Sequence, residues 1–472
     1  MTPRILQRMG GAASAALFVF WAAAAGAQPI GQPEAATGRL DKRALDATRQ
    51  LVVAANPYAA QAGLEVLRAG GSAVDAAVAV QLVLGLVEPQ SSGLGGGGFL
   101  LHWSAREQRV RSYDGRERAP AVAHENRFVE PSGRTTPFFE AVVSGKSVGV
   151  PGVARLLELV HARHGRLPWA RLFAPAVQLA EEGFVLSPRL HRLLERDKFL
   201  RQDAAARALY YRDDGSPHPV GTRIANPAYA ATLRTLAAQG ADSFYRGPIA
   251  EDIVAAVRAA PRPGDMTPDD LANYRALERA PVCGTYRGHR LCGMGPPSAG
   301  AVVVLQILGV LERSGFAGAA PGSAEAVHLF AEAGRLAYAD RNHYIADPAF
   351  SVQPIDGLLA ADYLDARARL VGARSMGAAE PGRPVGAAAR GPAHSGTSSG
   401  TTHFSIVDAN GDAVAMSASV ENAFGARRMV RGFLLNNQLT DFAFDPRSRG
   451  APAANRVQGG KRPRSTMSPT LV

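Results

Sequence analysis

A threonine that follows a glycine and opens a strand can carry acyl chemistry once the bond between the two residues is cut. Thr401 stands in that place: Gly400 ends the run HSGTSSG, and TTHFSIVD begins immediately after it. A threonine hydroxyl alone is a weak nucleophile. A free α-amino group on the same residue, with a reference pKa of about 7.7–8.0, can act as its base near neutral pH. Before the cut, the Thr401 hydroxyl can attack the Gly400 carbonyl, and glycine places no side chain in the way.

What must hold Thr401 is the element it opens. The alternation in TTHFSIVD, the Asn410-Gly411 turn and DAVAMSASV predict a β-hairpin. Two registers are possible. A three-residue loop Ala409-Asn410-Gly411, with Gly411 left-handed in a bulge, puts Ser419 opposite Thr401; a two-residue Asn-Gly turn would pair Ser419 with Thr402. The bulged loop is the expectation, and with it the Ser419 hydroxyl can hold the Thr401 amine. Without further signals, the same pattern describes an edge strand of no special function.

The segment before the hairpin, residues 373–400, is rich in Gly, Ala, Pro, Ser and Thr, and predicts a mobile surface linker. Further upstream the chain reads as largely helical. Asn56 caps a helix that starts at Pro57, carries the stripe Ala60, Leu64 and Leu67, and stops at Gly70-Gly71. Ser72 and Asp75 form a capping-box pattern for a second helix, apolar on most sides and therefore buried. SSGLGGGG, residues 91–98, predicts a tight loop in close backbone contact with a neighbour, followed by a strand over 99–103. It has no Lys-Ser/Thr ending of a phosphate-binding loop. Val153, Leu156, Leu157 and Val160 mark one more helix, and Leu172, Ala176 and Leu179 another.

Cys283 and Cys292 are the two cysteines. If Arg287-Gly288 is a two-residue hairpin loop, they face each other at a Cα separation of about 4.5–5.5 Å, within reach of a disulfide. The alternative is a pair of small buried thiols. No histidine or further cysteine lies beside them to suggest a metal site.

The chain has 472 residues and 46% hydrophobic content, enough for a large core. Its net charge of +11, from 52 Lys and Arg against 41 Asp and Glu, is scattered, without the basic helix or interleaved aromatics of a nucleic-acid site. Arg4 and Arg8, an apolar run and Ala25-Gly26-Ala27 predict a signal peptide over residues 1–27 with Gln28 as the mature start. That reading implies a periplasmic or secreted protein, without membrane attachment once the leader is removed; an uncleaved anchor is the alternative.

Ten motifs in order give the sequence a family likeness: NPYAAQAGLEVLRAGGSAVDAAVAVQ, VEPQSSGLGGGGF, DGRERAP, GKSVGVPG, MGPPSAG, AEAGRLAYADR, TTHFSIVD, ENAFG, GFLLNNQLTDF and KRPRSTMSPTLV. Together they make residues 51–472 resemble the γ-glutamyltransferases, of the N-terminal nucleophile hydrolase superfamily. The resemblance implies an α+β fold, a four-layer αββα sandwich, divided into a large segment 28–400 and a small segment from 401 to 472 that form a heterodimer. It implies no metal and no organic cofactor. Gly400/Thr401 becomes the autocleavage site, Thr401 the nucleophile and Ser419 the second hydroxyl residue, normally threonine.

For the zwitterionic γ-glutamyl group, the likeness assigns the carboxylate to Arg116, Ser465 and Thr466, and the ammonium to Glu421, Gln438 and Asp441. A guanidinium can bind a carboxylate through two parallel hydrogen bonds, and an ammonium needs acceptors. The implied substrates are glutathione or similar amides, with water, an amino acid or a peptide as acyl acceptor. Two departures stand out. The family continues past SPT into a strand and a glycine pair that forms the oxyanion hole, so the chain ending at Val472 reads as a fragment, the other reading being a non-catalytic remnant. Residues 441–461 hold no tyrosine where some members carry a lid, which implies an open cleft and keeps a glutaryl or cephalosporin acylase as the runner-up.

Overall fold

The structure, a computed structural model, describes residues 46–388, 391, 400–448 and 450–472. The expected leader and its cleavage site lie outside the described residues, as do 389–390 and 392–399 of the expected linker. Part of the linker that is described is tied down: Glu332 at its carboxylate receives the Met376 amide, at 2.8 Å, and Asp340 that of Gly382, also 2.8 Å.

A six-stranded antiparallel sheet carries the hairpin. Its strands are β1 (Leu51–Val53), β2 (Gly97–Ser104), β3 (Arg109–Gly115), β4 (Leu277–Arg279), β7 (Thr401–Val407) and β8 (Ala413–Ser419), in the order β1-β7-β8-β2-β3-β4. A second sheet joins β5 (Val282–Tyr286), β6 (His289–Gly293) and β9 (Thr470–Leu471), in the order β9-β6-β5. Helices α1 (Pro57–Arg68), α2 (Ala73–Val87) and α3 (Val153–His164) cover the first sheet; α4 (Gly300–Glu312) and α5 (Ala324–Tyr344) lie on the side of the second. Phe99 of β2 meets Met294 and Met467 between the sheets. The order is helix, sheet, sheet, helix, as the family likeness implies.

Local chemistry explains most elements. Asn56 caps α1 by accepting from the Tyr58 amide, and Pro57 takes the first position. The buried stripe of α1 is Ala59, Ala62, Gly63, Val66 and Leu67; of the expected positions Leu67 is buried, and Ala60 and Leu64 are only partly so. The face is turned by about one residue because Gly63 must pass close to Val80 of α2. Ser72 and Asp75 form the expected capping box, and every residue of α2 is buried between sheet and helices. In α3 the four expected apolar positions are buried. The helix after residue 173 buries Ala176 and Ala180 rather than Leu179.

The strand after the glycine run begins earlier than expected, since Gly97 and Gly98 already pair with Ser419 and Ala418. Gly96 shows why this loop is glycine: a Cβ there would stand 2.2 Å from the Ser419 carbonyl oxygen. The cysteines face each other across β5 and β6 in a hairpin turned by Arg287 and Gly288, both at positive φ. They are bonded, with a Cα separation of 4.1 Å.

Candidate active site

The β7–β8 hairpin adopts the bulged register. Thr401 pairs with Ser419 and Val407 with Ala413. Asp408 and Asp412 close the loop, with Gly411 at φ 81°. The buried Asp408 carboxylate accepts from the amides of Asn410 and Asp412, and also from Ala73 at the start of α2, at 3.2 Å. An anion at a helix N-terminus is favoured, so the turn is docked as well as folded.

At the other end of the hairpin the Ser419 hydroxyl uses all of its hydrogen-bonding capacity. It donates to the Gly400 carbonyl at 2.7 Å and accepts from the Thr401 hydroxyl at 3.2 Å and the Glu421 amide at 2.8 Å. The expected contact to the Thr401 amine is replaced by one to its hydroxyl, because in the intact chain that nitrogen belongs to the Gly400–Thr401 peptide bond. The consequence is chemical: Ser419 polarises the carbonyl next to the threonine that would attack it. Gly400 itself is hemmed in, as a Cβ would lie 2.4 Å from the Glu421 carbonyl oxygen.

Thr401 opens into a cavity of about 340 Å³ lined by Arg116, Ser417, Ser419, Glu421, Gln438, Asp441 and residues 465–468. All eight residues assigned to catalysis or substrate binding from the sequence therefore meet in one place, although Arg116 and Asp441 are 325 positions apart. Their arrangement departs from the expected division of labour. Arg116, fully buried, gives Nη2 to the Asp441 carboxylate and to the Arg464 carbonyl, and Nε to the Pro463 carbonyl. One edge of the guanidinium is thus committed within the protein, leaving Nη1, which among the described residues has Glu117 at 3.6 Å.

The acceptors adjoin this guanidinium. Asp441 Oδ2 also accepts from Gln438 Nε2 at 2.8 Å, while Gln438 Oε1 is buried without a partner among the described residues. Glu421 sits at φ 82°, a left-handed conformation that costs a non-glycine residue about 1–3 kcal/mol. Its amide bond to Ser419 and its carboxylate bond to the Asn437 amide hold it there. Ser465 Oγ accepts from the Met467 amide, and Thr466 Oγ1 accepts from Arg341.

Sequence reasoning assigned no role to five neighbours. Ser417 was legible, since it lies two residues before Ser419 on the same strand face. Arg341 sits in a matching motif but carries no local sign of its contact. Met467 and Ser468 lie next to assigned residues. Glu117 is buried beside Arg116 with neither carboxyl oxygen hydrogen-bonded among the described residues. Burial outweighs the attraction of Arg116 and pushes its pKa up to about 8.

Comparison with known proteins fits this geometry. The "Glutathione hydrolase proenzyme" of Bacillus subtilis (strain 168) is 34% identical over 432 residues, covering 89% of this chain and 72% of that protein. Among solved structures, the cephalosporin acylase from Bacillus halodurans superposes with a TM-score of 0.76 at 26% identity, over 93% of this chain and 77% of its own. The Helicobacter pylori gamma-glutamyltranspeptidase gives 0.66 at 32% identity, over 70% and 94%. The model of the gamma-glutamyltranspeptidase family matches residues 59–472, and the chain belongs to that family.

Proposed function

We propose that the chain is the precursor of a γ-glutamyltransferase and hydrolase, which divides at Gly400/Thr401 and uses the released Thr401 to cleave γ-glutamyl amides such as glutathione. The observation that carries this reading is the hydrogen-bonded run Thr401 hydroxyl, Ser419 hydroxyl, Gly400 carbonyl at the mouth of a cavity lined by a guanidinium and by carboxylate and amide acceptors.

In the first reaction Thr401 Oγ1 adds to the Gly400 carbonyl, whose oxygen Ser419 polarises; the C–N bond breaks as the hydroxyl proton passes to the nitrogen, which frees the Thr401 amine, and water then hydrolyses the Gly400 ester to free the hydroxyl. In the second, that amine takes the proton of its own hydroxyl as Oγ1 attacks the γ-carbonyl. A glutamyl ester forms and the amine of the leaving group departs. Water then gives glutamate, or an amino acid or peptide gives a new γ-glutamyl amide. Arg116, Ser465 and Thr466 suit the substrate carboxylate; Glu421, Gln438 and Asp441 suit its ammonium. The segments on either side of the cut stay together as a heterodimer.

A glutaryl acylase is the second reading, supported by the likeness to the Bacillus halodurans enzyme. Glutaryl lacks the ammonium that Glu421 and Asp441 would meet, so γ-glutamyl substrates are favoured. Rates on γ-glutamyl-p-nitroanilide and glutaryl-p-nitroanilide decide between them: the proposal expects the first to be the better substrate, and preference for the second would reject it. Export to the periplasm or medium is part of the proposal, and the Cys283–Cys292 bond supports it because such bonds persist in oxidising compartments. Fractionating cells that express the chain with and without residues 1–27 tests that part.

A further inference from the structure

The wall that carries Ser465 and Thr466 is clasped to the end of α5 in both directions. Arg464, fully buried, donates Nη1 to the carbonyls of Arg341 and Asn342 at 3.1 and 3.2 Å, in the last turn of the helix, where a cation is favoured. Arg341 returns the contact: its Nη2 donates to Thr466 Oγ1 at 2.6 Å, while its Nη1 donates to Asn342 and its guanidinium lies 5.6 Å from the Tyr338 ring centre.

A hydroxyl has one proton to give and two lone pairs to accept with. Because one Thr466 lone pair takes the Arg341 N–H, the hydroxyl proton must point away from Arg341, and Thr466 lines the cavity. Arg116 is paired with the Asp441 carboxylate, and Asp441 lies in the electrostatic reach of both Arg341 and Arg464.

We propose that Arg341 is a positioning residue that turns the Thr466 hydroxyl proton into the cavity as a donor to the substrate's α-carboxylate, and so selects acyl groups that carry one. The inference rests on the γ-glutamyl reading of the site, and deepens it with a residue that never touches the substrate.

Calorimetric binding of L-glutamate to the purified protein tests it through a double-mutant cycle. R341M and T466A should each weaken Kd by about tenfold, as loss of a charge-assisted hydrogen bond does. The double variant should bind no more than about twofold worse than T466A alone, because Arg341 acts only through Thr466. R341K, which can still donate, should recover most of the affinity. On γ-glutamyl-p-nitroanilide the R341M loss should fall on KM rather than kcat.

A double variant about a hundredfold weaker than wild type would overturn the inference, as would R341M binding like wild type or no glutamate binding by any form. Glutamate binding with the predicted cycle but no turnover would count against the proposed reaction and leave the role of Arg341 standing.

Discussion

At the scale of single residues, Ser419 and Glu117 make opposite kinds of claim. Ser419 polarises the Gly400 carbonyl, and removing one well-aligned donor to a reacting carbonyl typically slows acyl transfer by about 10²–10³. Ser419→Ala should therefore slow division of the precursor by about that factor, read from the time course of fragment appearance on a denaturing gel; division at the wild-type rate would remove Ser419 from the first reaction. Glu117 bears on stability. Its ordinary pKa of 4.5 rises to about 8 in the fold, so between these values the folded chain holds a proton that the unfolded chain has lost. The stability this proton represents is fully present below about pH 4.5, and is lost as pH rises to about 8. Glu117→Gln should be more stable than wild type by an amount that grows from pH 5 to 8, reaching roughly a few kcal/mol. Denaturant titrations at four pH values check this, and a constant difference would contradict it.

At the scale of elements, what was legible in the sequence is what short spacing fixes. The placement of Asn410-Gly411 narrows the hairpin to two registers, of which the bulged one forms, and the facing cysteines follow from Arg287-Gly288, since a turn type determines which residues pair. The helix caps at Asn56 and Ser72 were equally local. The face of α1 was not, because Gly63 against Val80 is a contact between two helices. Nor was the pairing of Arg116 with Asp441, or of Arg341 with Thr466: Arg116, Asp441 and Thr466 were suited to a ligand, and only the fold reveals that each already has a protein partner. Gly400 joins the two scales. Gly400→Ala would drive a Cβ into the Glu421 carbonyl, shifting the carbonyl away from Ser419. Self-division should slow by at least about tenfold, measured on the same gels, whereas an unchanged rate would mean that the strand end yields without disturbing the reacting groups.

At the scale of the whole molecule, the two strands that follow Gly400 lie inside the large sheet rather than at its edge: β7 and β8 stand between β1 and β2. Arg462 adds a buried ion pair with Asp114 at 2.7 Å, and Arg427 another with Asp197 at 2.9 Å, each joining the two sides of the cleavage point. Cutting one peptide bond leaves all of this in place, and separating the segments would expose both flanks of the hairpin. The divided protein should elute as a single species in native size-exclusion chromatography and part only in denaturant; free small segment under native conditions would contradict the sheet order. Everything chemical in the account depends on Thr401 being the residue exposed by the cut. Intact-mass and N-terminal analysis of the purified protein beside its Thr401→Ala variant tests this most directly. The account predicts a fragment that begins at Thr401 in the wild type, and a variant that stays whole and releases no p-nitroaniline from γ-glutamyl-p-nitroanilide. A fragment beginning elsewhere, or a variant that divides and turns over as the wild type does, would contradict it.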